Sequence, residues 1–427
     1  LESSFIDQLP GSEERYRSFS RRFARALHER LEATQPAHAM TLHKSAAQQL
    51  EDQALEDPAG AAAGAFLYHL FAARDWAGLL AWMASRVVPF PLLTRLWATA
   101  RAELGEEEAT LDRALLEQVA LELARHLLRL GADQHVELVR AFELLSASSS
   151  PEKRAWAAVM RAQLEVAAGR FERATVLLDV SPVASDPLLS AEQRLARASV
   201  LRWRGELDAA SAIVAQVRGD HREREAASST HAARSVLAKT AVWAGLIDKD
   251  RGDLGAAMTA LGVDVDNDEL LRARLAFQRG DVLLRLGLFD GATFELDRAI
   301  GAAGRSGALA QERARYLARR GTLRRLKGDV ARSREDFAAA RDALYGSELT
   351  DLDLDFALAK VADESSYTLL ADGAFEEAIV ANTTALATFR TYQDKRDVEA
   401  GFRIARSSVR LAVAYAFRGF AMPFRRP

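Results

Sequence analysis

Gly280–Ile300 reads GDVLLRLGLFDGATFELDRAI. Leu283, Phe289, Ala292, Leu296 and Ala299 recur at helical spacing on the two sides of one glycine, Gly287. A small residue, Gly280, stands seven positions before that glycine, and another, Ala292, five after it. In two antiparallel helices joined by a tight turn, small residues at those places let the backbones approach without a clash. The glycine between them ends the first helix, because it enters left-handed backbone at little cost. Phe289, two after the glycine, would plug the seam between the helices.

The same register recurs along the chain. Its other copies are Ala162, Gly169, Ala174; Ala198, Gly205, Ala210; Gly245, Gly252, Ala257; Gly321, Gly328, Ser333; and Ser366, Gly373, Ala378. A last one, Ala412 and Gly419, is expected to open a turn whose second helix is cut off. Successive turn glycines lie 36, 47, 35, 41, 45 and 46 residues apart, each enough for a helical hairpin. Weaker units precede them, one from Ala124 to Gly131 and one in YHLFAARDWAGLLAWM around Asp75. This register resembles the tetratricopeptide repeat (TPR) family over roughly residues 150–420. The resemblance implies an all-α, TPR-like right-handed superhelix, an α-solenoid of antiparallel helical hairpins. Long spacings and missing helix-ending prolines depart from the family and imply longer helices and irregular loops.

Composition agrees: alanine, leucine, arginine and glutamate dominate, a helix-forming vocabulary, and 49% of the 427 residues are apolar. No apolar run reaches the length of a membrane span and no signal peptide opens the chain, so a cytoplasmic setting is expected. Zero cysteines exclude disulfides and thiolate chemistry. A net charge of -3 forecasts no general affinity for nucleic acid. The basic run from Arg313 to Lys327 points in several directions on one helix, so nucleic acid is not the expected partner. The chain opens at Leu1 rather than methionine, which leads us to expect a fragment.

Residues 1–60 are expected to form linker or capping helices, 61–150 degenerate repeats, and 151–427 the TPR-like array with a truncated last unit. Near the start, Tyr16–Phe19 lead into a helix carrying Phe23, Leu27 and Leu31, and a second helix carries Leu42, Ala46, Ala47 and Leu50. With Leu42, His43 and Ala47 as an LH-x-x-x-A helix, this segment resembles the one joining the ATPase and winged-helix core of STAND-type signalling ATPases to their C-terminal repeats. An ordinary N-terminal capping hairpin fits the same residues. The STAND resemblance implies a nucleotide site upstream of this chain, and homo-oligomerisation through that absent region.

Catalytic signals fail one by one. No G-x-x-x-x-G-K-[ST] sequence occurs, and Gly301, Gly304 and Gly307 in GAAGRSG read as an inter-helix loop. None of the eight histidines pairs with another at helical spacing, so no metal site is expected. Asp264, Asp266 and Asp268 imitate a calcium loop, but Glu269 and Leu275 stand where glycine and the bidentate glutamate belong. Asp351, Asp353 and Asp355 read as helix-capping and loop residues. A non-catalytic chain without cofactors is the expectation. Most of the six tryptophans read as core, Trp156 excepted.

The turn glycines also serve as a ruler. In TPR proteins the first helix of each hairpin lines a concave groove, with one groove position thirteen residues before the glycine. Here those positions are Trp156, Glu192, Lys239, Arg274, Arg315, Lys360 and Arg406. A second groove position, three before the glycine, adds Arg202, Lys249 and Arg325. Such a cationic ladder would attract an acidic protein or peptide, a C-terminal carboxylate or a phosphorylated ligand. The alternative is that each cation pairs with a carboxylate of the neighbouring unit. If the ladder is the site, reversing Arg274, Arg315 and Lys360 together should abolish binding and leave helicity unchanged. The expected role is a sensor or regulatory region of a larger signalling protein; a small-molecule sensor of a bacterial transcription regulator and a passive assembly scaffold are the alternatives.

Overall fold

The structure, a computed structural model, describes residues 6–8, 16–18, 30–31, 33–56, 61–85, 97–98, 110–129, 136–180, 186–227, 231–263, 265, 269–305, 310–346, 351–393 and 397–421. Two compact units divide the chain, Leu1–Val88 and Pro89–Pro427. The first holds an antiparallel ribbon, β1 (Ile6–Gln8) on β2 (Tyr16–Ser18), which pairs Asp7 with Arg17. It also holds α1 (Pro36–Glu56), α2 (Ala61–Ala72) and α3 (Trp76–Ser85), with α1 packed along α2.

In the second unit α4 (Thr110–Arg129) and α5 (Val136–Ser146) make one hairpin, the unit expected at Ala124. The next hairpins are α6 (Pro151–Ala167) with α7 (Phe171–Val180), α8 (Pro187–Trp203) with α9 (Leu207–Ala227), and α10 (His231–Arg251) with α11 (Leu254–Leu261). Then come α12 (Glu269–Arg285) with α13 (Phe289–Arg305), α14 (Ala310–Leu326) with α15 (Val330–Tyr345), and α16 (Asp351–Ala371) with α17 (Phe375–Thr391). Helix α18 (Asp397–Ala421) packs on α17. The described residues thus fold as an all-α array of antiparallel hairpins of the TPR kind, the short ribbon aside.

Turn chemistry explains the hairpins. Gly169, Gly205, Gly252, Gly287, Gly328 and Gly373 all take positive φ, between 74° and 84°. Each donates its N–H three residues back, and the following residue donates five back, as in Gly205 to Arg202 and Glu206 to Leu201. That Schellman pair consumes carbonyls that the first helix leaves open. Two residues later the second helix begins, and Asp253 and Asp329 cap it by accepting the N–H groups of Ala256 and Arg332. Elsewhere Pro151 and Pro187 occupy the first helical position behind Ser150 and Asp186 caps.

The small residues sit in the seam, as their register requires. Ala162, Ala174, Ala198, Ala210, Ala257, Ala292, Ser333, Ser366 and Ala378 are fully buried. A Cβ on Gly280 would lie 2.9 Å from Leu296 Cγ, and one on Gly245 2.6 Å from Leu261 Cγ. Two expectations fail. Gly419 does not turn: α18 runs through it to Ala421, it lacks the positive φ, and nothing among the described residues lies within 4 Å of its Cβ position. Gly301 and Gly304 are no loop either, because α13 continues to Arg305, held by Ala299, Ala302 and Ala303 in its core cluster. Phe23, Leu27, Gly131, Gly307 and the Asp264, Asp266 and Asp268 triplet lie outside the described residues.

From α6 onward each first helix packs beside the first helix of the next hairpin; successive second helices make no comparable contact among the described residues. A stack held closer along one edge bends toward that edge. The first helices therefore form the inner wall of this unit.

Candidate functional site: a charge network on the first helices

Five of the nine candidate side chains, Arg202, Lys239, Lys249, Arg274 and Arg406, are held in ion pairs. Lys239 binds Glu192, its counterpart one hairpin earlier, and Arg202 binds Asp250 at 2.6 Å. Arg274 reaches Glu312 at 2.7 Å, and Lys249 lies buried against Asp281 at 3.0 Å and Gln278 at 2.7 Å. Arg406 lies 3.8 Å from Asp363 and 3.7 Å from Glu364, and Lys360 Nζ sits 5.2 Å from the Phe356 ring centroid. Arg315 covers the Phe277 ring at 4.6 Å, and Arg325 lies 5.5 Å from the Tyr367 centroid. Neither has a carboxylate partner among the described residues. Trp156 is the correction: it is 5% exposed, covered by Arg125 at 4.1 Å, so it is core rather than a groove contact. The half-exposed tryptophan is Trp203, stacked on Phe171.

These contacts change where charge is left over. Toward the N-terminal side the ladder is neutralised pair by pair: Lys239 with Glu192, Arg202 with Asp250, Arg274 with Glu312. Beyond α12 the balance tips. Asp281 is met by Lys249, Arg285 and Arg319; Asp363 by Arg406 and Arg410; Glu364 by Arg403 and Arg406. Arg315 and Arg325, also on first helices, add two cations that meet no carboxylate among the described residues.

The electrostatics follow. Burial alone would raise the pKa of Asp281, but Arg319 and Lys249 outweigh it and hold the carboxyl below its ordinary range. Glu364 behaves the same way: burial opposes, and Arg403, Arg406, Arg319 and Arg410 prevail. The cations carry the cost. Burial pushes Lys249 down, only partly offset by Asp281. Burial and then the neighbouring Arg410 lower Arg406. Asp281 and Glu364 therefore stay charged at neutral pH, each held by more than one cation.

Ladder counting missed Arg319, Glu364 and Arg410, although the signal was in the same register. All three lie nine positions before a glycine of the pattern: Gly328, Gly373 and Gly419. It also missed a histidine pair in the first unit, where His43 Nδ1 and His69 Nδ1 come within 2.8 Å from separate helices. Helical spacing within one helix could not reveal that. Among the described residues no group of three or more His, Cys, Asp or Glu is placed to hold a metal ion. A cavity of about 670 Å³ in the first unit is lined by Lys44, Arg74, Glu51 and Asp75, whose charges balance. No described helix is long and apolar enough to cross a membrane.

No family model matches the chain, and no curated protein matches it. Solved structures with a similar trace include the apo form of RapI, at 11% identity and a TM-score of 0.45, with 84% of this chain and 96% of that one covered. The apo quorum sensor NprR from B. thuringiensis gives 10%, 0.44, 81% and 97%. The STAND protein PH0952 from Pyrococcus horikoshii, which carries a tetratricopeptide repeat sensor, gives 15%, 0.37, 78% and 54%. At these identities and scores the likeness bears on neither ligand nor role.

Proposed function

We propose that this chain is a non-catalytic recognition domain whose first-helix wall, from α12 to α18, binds an acidic protein or peptide. Its role would be that of a cytoplasmic sensor or regulatory region in a larger signalling protein. The observation that carries this reading is the cationic surplus on the inner wall: Asp281 is met by Lys249, Arg285 and Arg319, while Arg315 and Arg325 meet no carboxylate among the described residues. Paired surface charges contribute little beyond solvation, but an unneutralised strip in a concave surface sustains a potential that draws in an acidic segment and orients it. Guanidiniums suit the task because their planar forks hold carboxylates by two parallel hydrogen bonds. Folding itself gains little from the excess, because like charges on neighbouring helices repel.

A labelled hexaglutamate peptide tests the reading by fluorescence anisotropy. Saturable binding is expected, weakening steeply as salt rises from about 50 to about 300 mM, since exposed charge is screened over a Debye length of roughly 10 Å at 0.1 M. A peptide that fails to bind, or binds independently of salt, contradicts it.

A further inference from the structure

Within the first unit, α1, α2 and α3 line a cavity of about 670 Å³. Its floor is apolar: Ala47, Phe66, Leu70, Ala73 and Trp82 line it and are each 6% exposed or less. Phe66 and Trp82 pack ring against ring there, with centroids 4.9 Å apart. Charge stands on the rim. Lys44, Glu51 and Arg74 line the cavity, are exposed, and form no ion pair among the described residues. Asp75, the remaining charged group of the lining, accepts the N–H of Gly78 at 3.0 Å and so caps α3.

Helical spacing orders the rim. Lys44, Gln48, Glu51 and Leu55 line the cavity from one stripe of α1. At a rise of about 1.5 Å per residue, Lys44 and Glu51 stand about 10 Å apart along the helix. Helices α1 and α2 follow one another, and His43 meets His69, so they run antiparallel. The Lys44 end of the cavity is therefore the Leu70 and Arg74 end, and Glu51 lies toward the other. Arg74 is the informative residue. Where the hairpin turns of the second unit use glycine, Arg74 holds φ 54°, a backbone conformation that side chains rarely adopt. Such strain clusters at ligand sites, and here the strained residue carries a guanidinium that lines a cavity while no ion pair among the described residues offsets the strain.

Unpaired charges of both signs over an apolar floor fit a ligand that is itself zwitterionic and apolar between its ends. A span of about 10 Å is that of about three extended residues at roughly 3.3–3.6 Å each. We infer that this cavity binds a short peptide of about three residues by its two free ends. Arg74 takes the terminal carboxylate through the paired hydrogen bonds of its planar fork, and Lys44 adds positive charge at that end. Glu51 takes the terminal ammonium, Gln48 meets the peptide amides, and an apolar side chain lies on Phe66, Leu70 and Trp82. The ligand is neutral overall, so this site is independent of the acidic-partner reading.

Isothermal titration of the whole chain with the tripeptide Ala-Leu-Ala tests it, beside the N-acetylated tripeptide, the C-terminal amide and Gly-Gly-Gly. Ala-Leu-Ala should bind saturably with a dissociation constant below about 1 mM, and the other three at least about tenfold more weakly. Glu51→Gln should weaken Ala-Leu-Ala on the order of tenfold and leave the N-acetylated form as it was; Arg74→Gly should do the same with the amide in its place. Glycine relieves the turn, so Arg74→Gly should also melt above wild type, which separates lost affinity from lost folding. Glu51→Gln, exposed in mid-helix, tests the ammonium end separately. No saturable binding of Ala-Leu-Ala, equal binding of the blocked forms, or wild-type affinity in either variant overturns the site. Excess hexaglutamate should not displace the tripeptide; displacement would put the tripeptide on the inner wall and overturn the cavity assignment. If hexaglutamate fails to bind while Ala-Leu-Ala binds as described, the wall reading falls and the cavity site stands; the reverse outcome removes the cavity site and leaves the wall.

Discussion

Arg74 does in the first unit what glycine does in the second. It has φ 54° and repeats the turn hydrogen bonds, donating to Phe71 O at 2.9 Å while Asp75 donates to Leu70 O. A side chain in left-handed backbone costs about 1–2 kcal/mol, so Arg74→Gly should stabilise this unit by about 1 kcal/mol in urea unfolding followed by tryptophan fluorescence. The opposite change isolates the same effect: a Cβ on Gly205 meets nothing within 4 Å, so Gly205→Ala should cost about 1 kcal/mol through backbone strain alone. His221 makes a pH test. It is buried, and burial, with Arg224 and Arg194, pushes its pKa below the ordinary 6.5. The unfolded chain therefore takes up the proton more readily, and stability is lost as pH falls through and below that value. His221→Gln should flatten that part of the melting profile relative to wild type; an unchanged slope contradicts the assignment. Arg274 shows a limit of counting along the chain. Because it pairs with Glu312, reversing it would set two carboxylates against each other, so the triple reversal expected to spare helicity should instead disturb the α12–α14 contact.

Hairpins were the most legible part of the molecule, since their seam is written in residue volume. Gly245 faces Leu261, Gly280 faces Leu296, and Gly321 faces Phe337 at 2.9 Å, each small residue opposite a large one. Gly245→Val should therefore destabilise by about 2–3 kcal/mol in thermal or urea unfolding, because Leu261 must move. Gly64, helical with open space at its Cβ, should instead gain up to about 1 kcal/mol as alanine. The same code misled at Gly419, where the helix runs on through the spacing, and at Gly301 and Gly304, where alanines on either side carry the helix onward. Glycine punctuates a chain only where packing needs the turn. Charge pairing was less legible than volume. Partners such as Lys239 with Glu192 lie 47 residues apart, and only the stacking of hairpins brings them together.

Over the whole molecule, stacking turns a ladder of cations into a gradient. Pairs neutralise the wall from α8 to the Arg274–Glu312 bridge, and the unbalanced charge gathers from Arg315 to Arg410. Function is claimed for that excess, not for the count of basic residues. Arg315 and Arg325 carry the claim best, because reversing them orphans no carboxylate among the described residues. The most direct test is hexaglutamate affinity at moderate salt for three proteins: wild type, Arg315→Glu with Arg325→Glu, and Arg332→Glu with Arg341→Glu. The last pair lies exposed on the second helix α15 and changes net charge by the same amount. Binding should be lost in the first-helix variant and nearly unchanged in the second-helix one, with far-ultraviolet circular dichroism alike in all three. Equal losses in both variants, or binding that survives the first-helix reversal, would contradict the assignment of the site to the inner wall.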